Sequence, residues 1–206
     1  GRGQHDRKWL SEPGANLTFS ILFKPIHDQN LHVLTLALAL SLTELIEEYT
    51  EREALIKWPN DVMVDHKKVA GFLTESVYAG RTLNRLVIGL GLNVNQEHFS
   101  DDLAEWATSL KNIGGRAFNR ERVLADLCSR FEYVYRRWSQ HDIDLIVSIN
   151  KKTIGFGEQV RIRINNELLP ETYKLLGIDE KGHLRILNKQ LEVDTFSHEQ
   201  IRVEQL

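Results

Sequence analysis

The sequence is poor in several features that define whole classes of proteins. Cys128 is its one cysteine, so no disulfide can form within the chain, which fits a reducing compartment. The 26 lysine and arginine residues are outnumbered by 29 aspartate and glutamate residues, so the chain lacks the basic character of a nucleic-acid-binding protein. The longest apolar stretch, 33–45, is interrupted by polar residues and is too short to span a bilayer. These absences predict a cytoplasmic globular protein with no nucleic-acid or membrane partner.

The chain has enough apolar residues for one full domain and a small second one, since 42% of its 206 residues are hydrophobic. The segment 17–23 shows the period-two pattern of a strand. A helix is predicted next, because leucines recur at helical spacing from Leu34 to Leu45 and either Asp28 or Asn30 can cap it. Further strands and helices of this part are predicted at 54–58, 62–64, 69–77, 83–92, 120–138 and 142–150.

Antiparallel hairpins with one long helix between them predict an α+β fold, with a mixed or antiparallel sheet and helices packed on one face. After Lys152 the pattern changes to short strands separated by turn residues. These strands predict a small β-barrel or sandwich, at 160–164, 173–178, 184–187, 191–196 and 201–203. We place the boundary near Thr153, which gives domains at 1–153 and 154–206.

Two polar motifs flank the predicted strands, and each is ambiguous by itself. GRGQHDRKW, at the start of the chain, has glycines that let backbone approach a ligand and cations that suit a phosphate or carboxylate, but a solvated basic loop has the same composition. In KWPND, residues 57–61, Pro59 stiffens the exit from a strand. A core tryptophan beside a surface ion pair explains that motif about as well as a binding site does.

Two further motifs fall on predicted strands. DHKKVAGFL places Lys67 and Lys68 at a hairpin turn, just before the small Ala70 and Gly71. For Lys67 we accept the simple interpretation of an exposed turn lysine. GLGLNVN, residues 89–95, has glycines inside an apolar strand, which weaken it unless something packs closely against them. No helix follows in the way that a dinucleotide fingerprint requires.

The order and spacing of these motifs resemble those of the biotin protein ligases. The series runs GRGQ-x-x-R-x-W, KWPND, KVAGFL, GLGLNVN and then ATSL at 107–110, so it covers residues 1–110. The segment 155–206 resembles the small C-terminal domain of the same family. The resemblance implies a class II synthetase-like catalytic domain, followed by an SH3-like β-barrel.

The resemblance also implies an activity. In this family the biotin carboxylate is joined to the α-phosphate of ATP, which gives biotinyl-5′-AMP and pyrophosphate. The biotinyl group then passes to one lysine of a biotin carboxyl carrier protein. A carboxylate that attacks a polyanion needs fixed positive charge to offset the repulsion, and Mg²⁺ commonly assists.

The resemblance implies roles for the individual residues that match the family motifs. Lys68 is the first choice for the key catalytic cation, supported by Arg7, Asp61 and Lys57. The residues expected to contact biotin are Arg2, Gly3, Gln4, Lys68, Gly71 and Gly91. The residues expected to contact ATP or the adenylate are Arg7, Trp9, Asn60, Asp61, Asn93 and Ala107. Asp61 is also the expected Mg²⁺ ligand.

Two departures from the family pattern affect these expectations. Asp6 stands where the family loop usually has glycine, which puts negative charge beside the phosphate site. The chain also opens inside the ligand loop, whereas the family has a preceding helix and strand with a Ser/Thr-Asn segment for the biotin ureido ring. We expect such a segment to precede Gly1. No helix-turn-helix is visible, so a repressor role has no support in the sequence.

Two alternative functions stay open at the level of sequence. A lipoate or octanoate ligase or transferase has a related fold, although KWPND followed by KVAG favours biotin. A non-catalytic biotin-binding module would bind the vitamin without ATP turnover. The carrier is expected to dock by pairing with an exposed strand edge, and a homodimer could form through the same edge.

Overall fold

A five-stranded antiparallel sheet carries most of the sequence motifs. The computed structural model of the chain describes residues 1–3, 9–24, 30–164, 167–197 and 201–205. The strands of this sheet are β1 (Leu17–Phe23), β2 (Ala54–Lys57), β3 (Asp61–Val64), β4 (Lys67–Ala79) and β5 (Thr82–Leu92). Their spatial order is β1-β5-β4-β3-β2, with every neighbouring pair antiparallel. The strands predicted for this region are therefore confirmed.

The helices lie on one face of this sheet, as predicted. They are α1 (Leu31–Thr50), α2 (Asp101–Ala104), α3 (Leu110–Gly114), α4 (Arg120–Ser139) and α5 (Ile143–Lys152). Helix α1 contacts β2, β3 and β4, and both α4 and α5 pack against α1. Most of α1 is therefore buried, and not only the predicted leucine stripe. The short helices α2 and α3 were not predicted, because neither is long enough to show a helical period.

Side-chain capping differs among the starts of the long helices. Asn30 precedes α1 in the left-handed region, with φ 53°, and its side chain makes no capping hydrogen bond. The alternative cap, Asp28, lies outside the described residues. The side chains of Asn119 and Asp142 accept backbone hydrogen bonds at the starts of α4 and α5.

The C-terminal region forms a second antiparallel sheet. Its strands are β6 (Gln159–Ile164), β7 (Glu167–Ile178), β8 (Leu184–Leu187), β9 (Val193–Phe196) and β10 (Ile201–Gln205), in the order β10-β6-β7-β8-β9. Five strands are present as predicted, although β7 begins before the predicted 173–178. Among the described strands β9 and β10 are not paired, so the sheet is open and does not close into the barrel that was one of the two predicted forms.

The second sheet need not close on itself to bury its apolar face, because the rest of the chain covers that face. Val160, Leu175 and Ile186 belong to the same buried cluster as the core of the first sheet. The segment that leads into the second sheet also pairs with β2 through backbone, since the Ile154 N–H donates to the Ile56 carbonyl at 2.9 Å. The division into domains at 1–153 and 154–206 stays a prediction.

The membrane expectation was tested on the helices. Within the described parts of the chain, none of the helices is both long enough and apolar enough to serve as a membrane span.

Candidate active site

The floor of the candidate site is a strip of small residues on the open face of the first sheet. Residues paired across antiparallel strands share a face. Gly91 of β5 lies between Thr18 of β1 and Gly71 of β4, and in the next row Gly89 has neighbours on both sides as well. The strip, which we call the glycine trough, lets another molecule approach the backbone of β4 and β5 closely.

Neighbouring side chains already fill the space above two of these glycines. A Cβ on Gly71 would lie 2.8 Å from both Cε and Nζ of Lys68. A Cβ on Gly91 would lie 2.3 Å from the nearest atom of the Trp9 ring. Contacts this short cannot persist, so any larger residue would displace the lysine or the indole from the trough.

A cavity of about 460 Å³ opens over the glycine trough. It brings together most of the residues that the sequence motifs predicted, which are Arg2, Gly3, Trp9, Lys57, Asn60, Asp61, Lys68, Gly71 and Gly91. Two further predicted residues, Gln4 and Arg7, lie outside the described residues, as does Asp6.

Lys68 is held at the cavity by its backbone and by its side chain. Its N–H donates to the Trp106 carbonyl at 2.7 Å, and its carbonyl accepts from the Thr108 N–H at 2.9 Å. Its Nζ lies 2.6 Å from Oδ1 of Asp61 and 5.6 Å from the centroid of the Trp9 ring. Both charged side chains are partly shielded, with 33% and 24% of their surfaces exposed. The ammonium thus sits between a carboxylate and an aromatic ring, where it is oriented and still open to the cavity.

The motif KWPND contains residues that hold the structure together and residues that line the cavity. Trp58 is 4% exposed, and its Nε1 donates to the Gly182 carbonyl at 3.3 Å, so it links the two sheets. The peptide bond between Trp58 and Pro59 is cis. Asn60 is fixed to β4, because its Nδ2 donates to the Phe72 carbonyl at 2.7 Å and its carbonyl accepts from the Phe72 N–H. Lys57 and Asp61 border the cavity with it.

Asn93 and Ala107 lie behind Lys68 and do not line the cavity. Ala107 forms an isolated parallel bridge with Lys68. Asn93 is buried, and its Nδ2 donates to the Thr108 carbonyl at 3.0 Å. Its Oδ1 accepts no hydrogen bond from any described residue. The two residues therefore support the strand that carries Lys68. The Oδ1 atom of Asn93 can still accept a hydrogen bond.

Sequence reasoning missed several residues of the cavity. Thr18 and Ser20 of β1 face the trough, and their alternation with apolar neighbours was a usable signal. Arg202 of β10 also lines the cavity. No local pattern could have found it, because it comes from the other sheet. Glu75 lines the cavity too and accepts a 2.8 Å hydrogen bond from Arg2.

A second, smaller cavity of about 230 Å³ lies where the two sheets meet. It shares Lys57 and Trp58 with the first cavity, and Leu175 and Val203 of the second sheet complete it. Trp106 borders it with 64% of its surface exposed. This indole directly precedes the ATSL motif and was missed, because the motif match stopped at Ala107.

The residues described here do not form a metal site by themselves. They contain no group of three or more His, Cys, Asp or Glu side chains that could hold an ion. Asp61 offers one carboxylate in the cavity, and the Lys68 ammonium beside its buried Oδ1 is an ionic contact and not a hydrogen bond. Mg²⁺ is commonly bound by one or two carboxylates together with substrate phosphates. The donor set fits Mg²⁺ that arrives with a nucleotide.

Comparisons with known proteins identify the fold and the family. The model of the biotin/lipoate A/B protein ligase family matches residues 1–93. A biotin protein ligase from Aquifex aeolicus, solved in complex with biotin and ATP, is 33% identical and superposes with a TM-score of 0.85. The match covers 100% of this chain and 85% of that one. The chain belongs to the biotin protein ligase family. The resemblance read from the motifs is confirmed.

Curated biotin protein ligases are similar over most of the chain. The bifunctional ligase/repressor BirA of Bacillus subtilis is 35% identical over 188 residues, which are 89% of this chain and 57% of that protein. The biotin–[acetyl-CoA-carboxylase] ligase of Mycobacterium tuberculosis is 28% identical over 89% of this chain and 68% of its own length. The chain thus spans little more than half of the Bacillus relative.

Proposed function

We propose that the chain is an ATP-dependent ligase that activates biotin as biotinyl-5′-AMP and transfers the biotinyl group to a lysine of a biotin carboxyl carrier protein. The observation that carries the proposal is the position of Lys68. Its ammonium stands at the end of the glycine trough, in a cavity that also contains Lys57 and Arg202. A carboxylate and a polyphosphate can be brought together only where fixed cations of this kind meet.

Biotin would lie along the glycine trough. Gly89 leaves the backbone of β5 open to a flat ligand, while the Trp9 indole packs on Gly91 as an apolar wall and Gly71 makes room for the Lys68 side chain. Arg2 and Gly3 would close over the ligand from the N-terminal loop. Gln4 is a further predicted contact. The Aquifex relative, which was solved in complex with biotin and ATP, supports biotin as the ligand.

The first step would join biotin to the nucleotide. One oxygen of the biotin carboxylate attacks the α-phosphorus of ATP, the new C(O)–O–P bond forms, and the bond to the pyrophosphate leaving group breaks. The Lys68 ammonium offsets the charge on both reactants, while Asp61 keeps it in place. Lys57 and Arg202, with Arg7 as a predicted addition, would hold the phosphates. Mg²⁺ bound with the phosphates, with Asp61 as its protein ligand, would supply further charge neutralisation.

The nucleotide base would use the second cavity. Trp106 presents an exposed indole there, and an aromatic side chain in such a position can stack on a purine. Lys57 belongs to both cavities, so in this arrangement it would put a cation between the base and the reacting phosphate. Asn93 and Ala107 would act indirectly, by fixing the strand of Lys68.

The second step would transfer the biotinyl group to the carrier. The neutral amine of the acceptor lysine attacks the biotinyl carbonyl, an amide forms, and AMP leaves. Among the described strands, β1 lies at one edge of the first sheet, and its Thr18 and Ser20 border the cavity. A carrier strand added at this edge would bring its lysine beside the adenylate. A homodimer through β1 would compete for the same edge. The cytoplasmic location and the absence of nucleic-acid binding stay predictions from composition.

Exchange of labelled pyrophosphate into ATP, with Mg²⁺ present, tests the first step directly. We expect exchange with biotin and none with lipoate or octanoate. These acids are the proper controls, because the matching family includes lipoate ligases. Exchange with lipoate or octanoate in place of biotin would contradict the proposed substrate. Biotin binding without exchange would favour a non-catalytic binding module.

A further inference from the structure

A third row of residues continues the face of the glycine trough at the end away from Lys68. Each row takes one residue from β4, β5 and β1, because paired residues of antiparallel strands share a face. In that strand order the rows are Gly71, Gly91 and Thr18, then Leu73, Gly89 and Ser20, then Glu75, Val87 and Leu22. Successive rows are two residues apart along a strand, so the third row lies roughly 14 Å from the first. Lys68 marks the first row, since its Nζ fills the space beside Gly71.

The third row is where the cavity over the trough ends. Glu75 lines the 460 Å³ cavity, whereas Val87 and Leu22 of the same row do not. In the row before it there is room for a ligand, because a Cβ on Gly89 would meet no atom closer than 3.6 Å. Leu22 is 53% exposed, so the sheet face beyond this row opens to solvent. An elongated ligand could follow the sheet out of the cavity here unless something stood in its path.

The Arg2 side chain lies across the trough at this end. Gly1 sits on the β1 side, because a Cβ there would lie 3.5 Å from Cγ2 of Thr18. Its backbone is fixed by two 2.9 Å hydrogen bonds with the backbone of Trp9. The Nη2 of Arg2 then donates to Oε1 of Glu75 at 2.8 Å on the β4 side. Since β5 lies between β1 and β4, the side chain of Arg2 spans β5, and we call the ion pair of Arg2 with Glu75 the strap.

The strap is placed to affect the ligand more than the stability of the fold. Its two side chains are 79% and 47% exposed, and exposed ion pairs of this kind contribute little to folding. Both residues line the cavity, however, so a bound molecule has to share the space with them. An exposed pair of the same residue types, Arg136 with Glu132, lies on α4 and provides a comparison without a cavity.

We propose that the strap closes the far end of the trough, and that Glu75, as a positioning residue for Arg2, limits the length of the acid that the site accepts. The inference rests on the proposed function, in which the biotin carboxylate meets Lys68 and the rest of the molecule lies along the trough. An acid that ends before the third row fits beside the strap. A longer acid has to displace Arg2, and a clash of this kind is a means of discrimination between ligands.

A pair of acids that differ only in length tests the strap. The probes are biotin and a biotin extended by an aminohexanoyl spacer before its carboxylate, each assayed by pyrophosphate exchange. In Glu75→Ala and Glu75→Gln we expect kcat/KM for the long acid, relative to biotin, to rise about tenfold, the size of effect that pocket shape supports. The KM for biotin should rise by no more than about fivefold, since an exposed ion pair is lost, while kcat and the KM for ATP stay unchanged.

Two further variants separate the strap from a general effect on structure. Glu132→Ala removes the comparison pair on α4 and should keep the selectivity of the unaltered protein. Glu75→Asp retains the carboxylate and should restore most of the selectivity that Glu75→Gln loses.

The outcomes distinguish the strap from the ligase activity. Equal selectivity in Glu75→Ala, Glu75→Gln and Glu132→Ala would overturn the strap and leave the ligase proposal intact. Efficient use of the long acid by the unaltered protein would overturn it as well, and so would a KM for ATP that rises in Glu75→Ala as much as the KM for biotin. Absence of biotin-dependent exchange in the unaltered protein is a failure of the proposed function.

Discussion

At the scale of single residues, the candidate site depends on two glycines and one lysine. Gly71 and Gly91 hold their positions because Lys68 and Trp9 fill the space that a side chain would need. Asp61 then fixes the lysine at 2.6 Å. The local pattern KVAG thus has a steric reason, since the residue three positions after the lysine has to make room for its side chain.

Replacing Lys68 by Ala should abolish most of the adenylation activity. Removing a preorganised charge that stabilises a transition state typically costs about 10²–10³ in rate, and we expect a loss of that size in biotin-dependent pyrophosphate exchange. Lys67→Ala is the matched control, because the Lys67 Nζ donates to the Ala104 carbonyl and does not line the cavity. Exchange that falls equally in both variants, or in neither, would remove Lys68 from the catalytic role.

At the scale of elements, the helical layer is held together by polar contacts as well as by its core. Helix α1 is covered by the sheet on one side and by α4 and α5 on the other. At the junction with α4, the Tyr49 hydroxyl donates to Oδ2 of Asp126 at 2.6 Å, and Arg122 donates to the same oxygen. Both hydrogen bonds hold the pKa of the Asp126 carboxyl below its usual value, with that from Tyr49 the larger cause.

This contact makes part of the stability depend on acid pH. Because the pKa of Asp126 is lower in the folded chain than in the unfolded one, its contribution is complete above the unfolded pKa of about 3.9. The contribution is lost as the pH falls through the lower folded pKa. Tyr49→Phe should therefore move the acid-unfolding midpoint to higher pH, measured by circular dichroism. Tyr133→Phe, on the exposed side of α4, should leave it unchanged; equal midpoints for the two variants would contradict the assignment.

At the scale of the whole molecule, the two sheets act on one site. Trp58 and the backbone of Ile154 connect them, and their apolar faces form one core. Arg202 extends from the second sheet into the cavity on the first. The C-terminal sheet is therefore expected to affect nucleotide binding.

Arg202→Ala should weaken ATP binding without unfolding the chain. Loss of one hydrogen bond to a charged group costs about 1.5–3 kcal/mol, so we expect the KM for ATP to rise at least tenfold in pyrophosphate exchange while the KM for biotin changes little. Arg161→Ala is the control, since it removes a cation from the same sheet outside the cavity. A normal KM for ATP in Arg202→Ala would exclude contact with the nucleotide.

Much of the fold and of the site was predictable from local sequence. Period-two and helical patterns placed the strands and the long helices because they report one buried face of each element. The motifs found the cavity residues of the first sheet, since backbone proximity along β3, β4 and β5 brings GLGL, KVAG and KWPND together. The short helices α2 and α3 and the early start of β7 were not predictable, because a few residues contain no full period.

The sequence by itself determined the chemistry of the glycine trough and of Lys68, because those roles depend on residue type and on spacing along one sheet. Tertiary structure alone decided that Arg202 shares the cavity, that Trp58 contacts the second sheet as well as bordering the site, and that the second sheet stays open. Each of these depends on contacts between residues far apart in the chain. These residues come together only when the two sheets pack over one core, and no local sequence pattern predicts that packing.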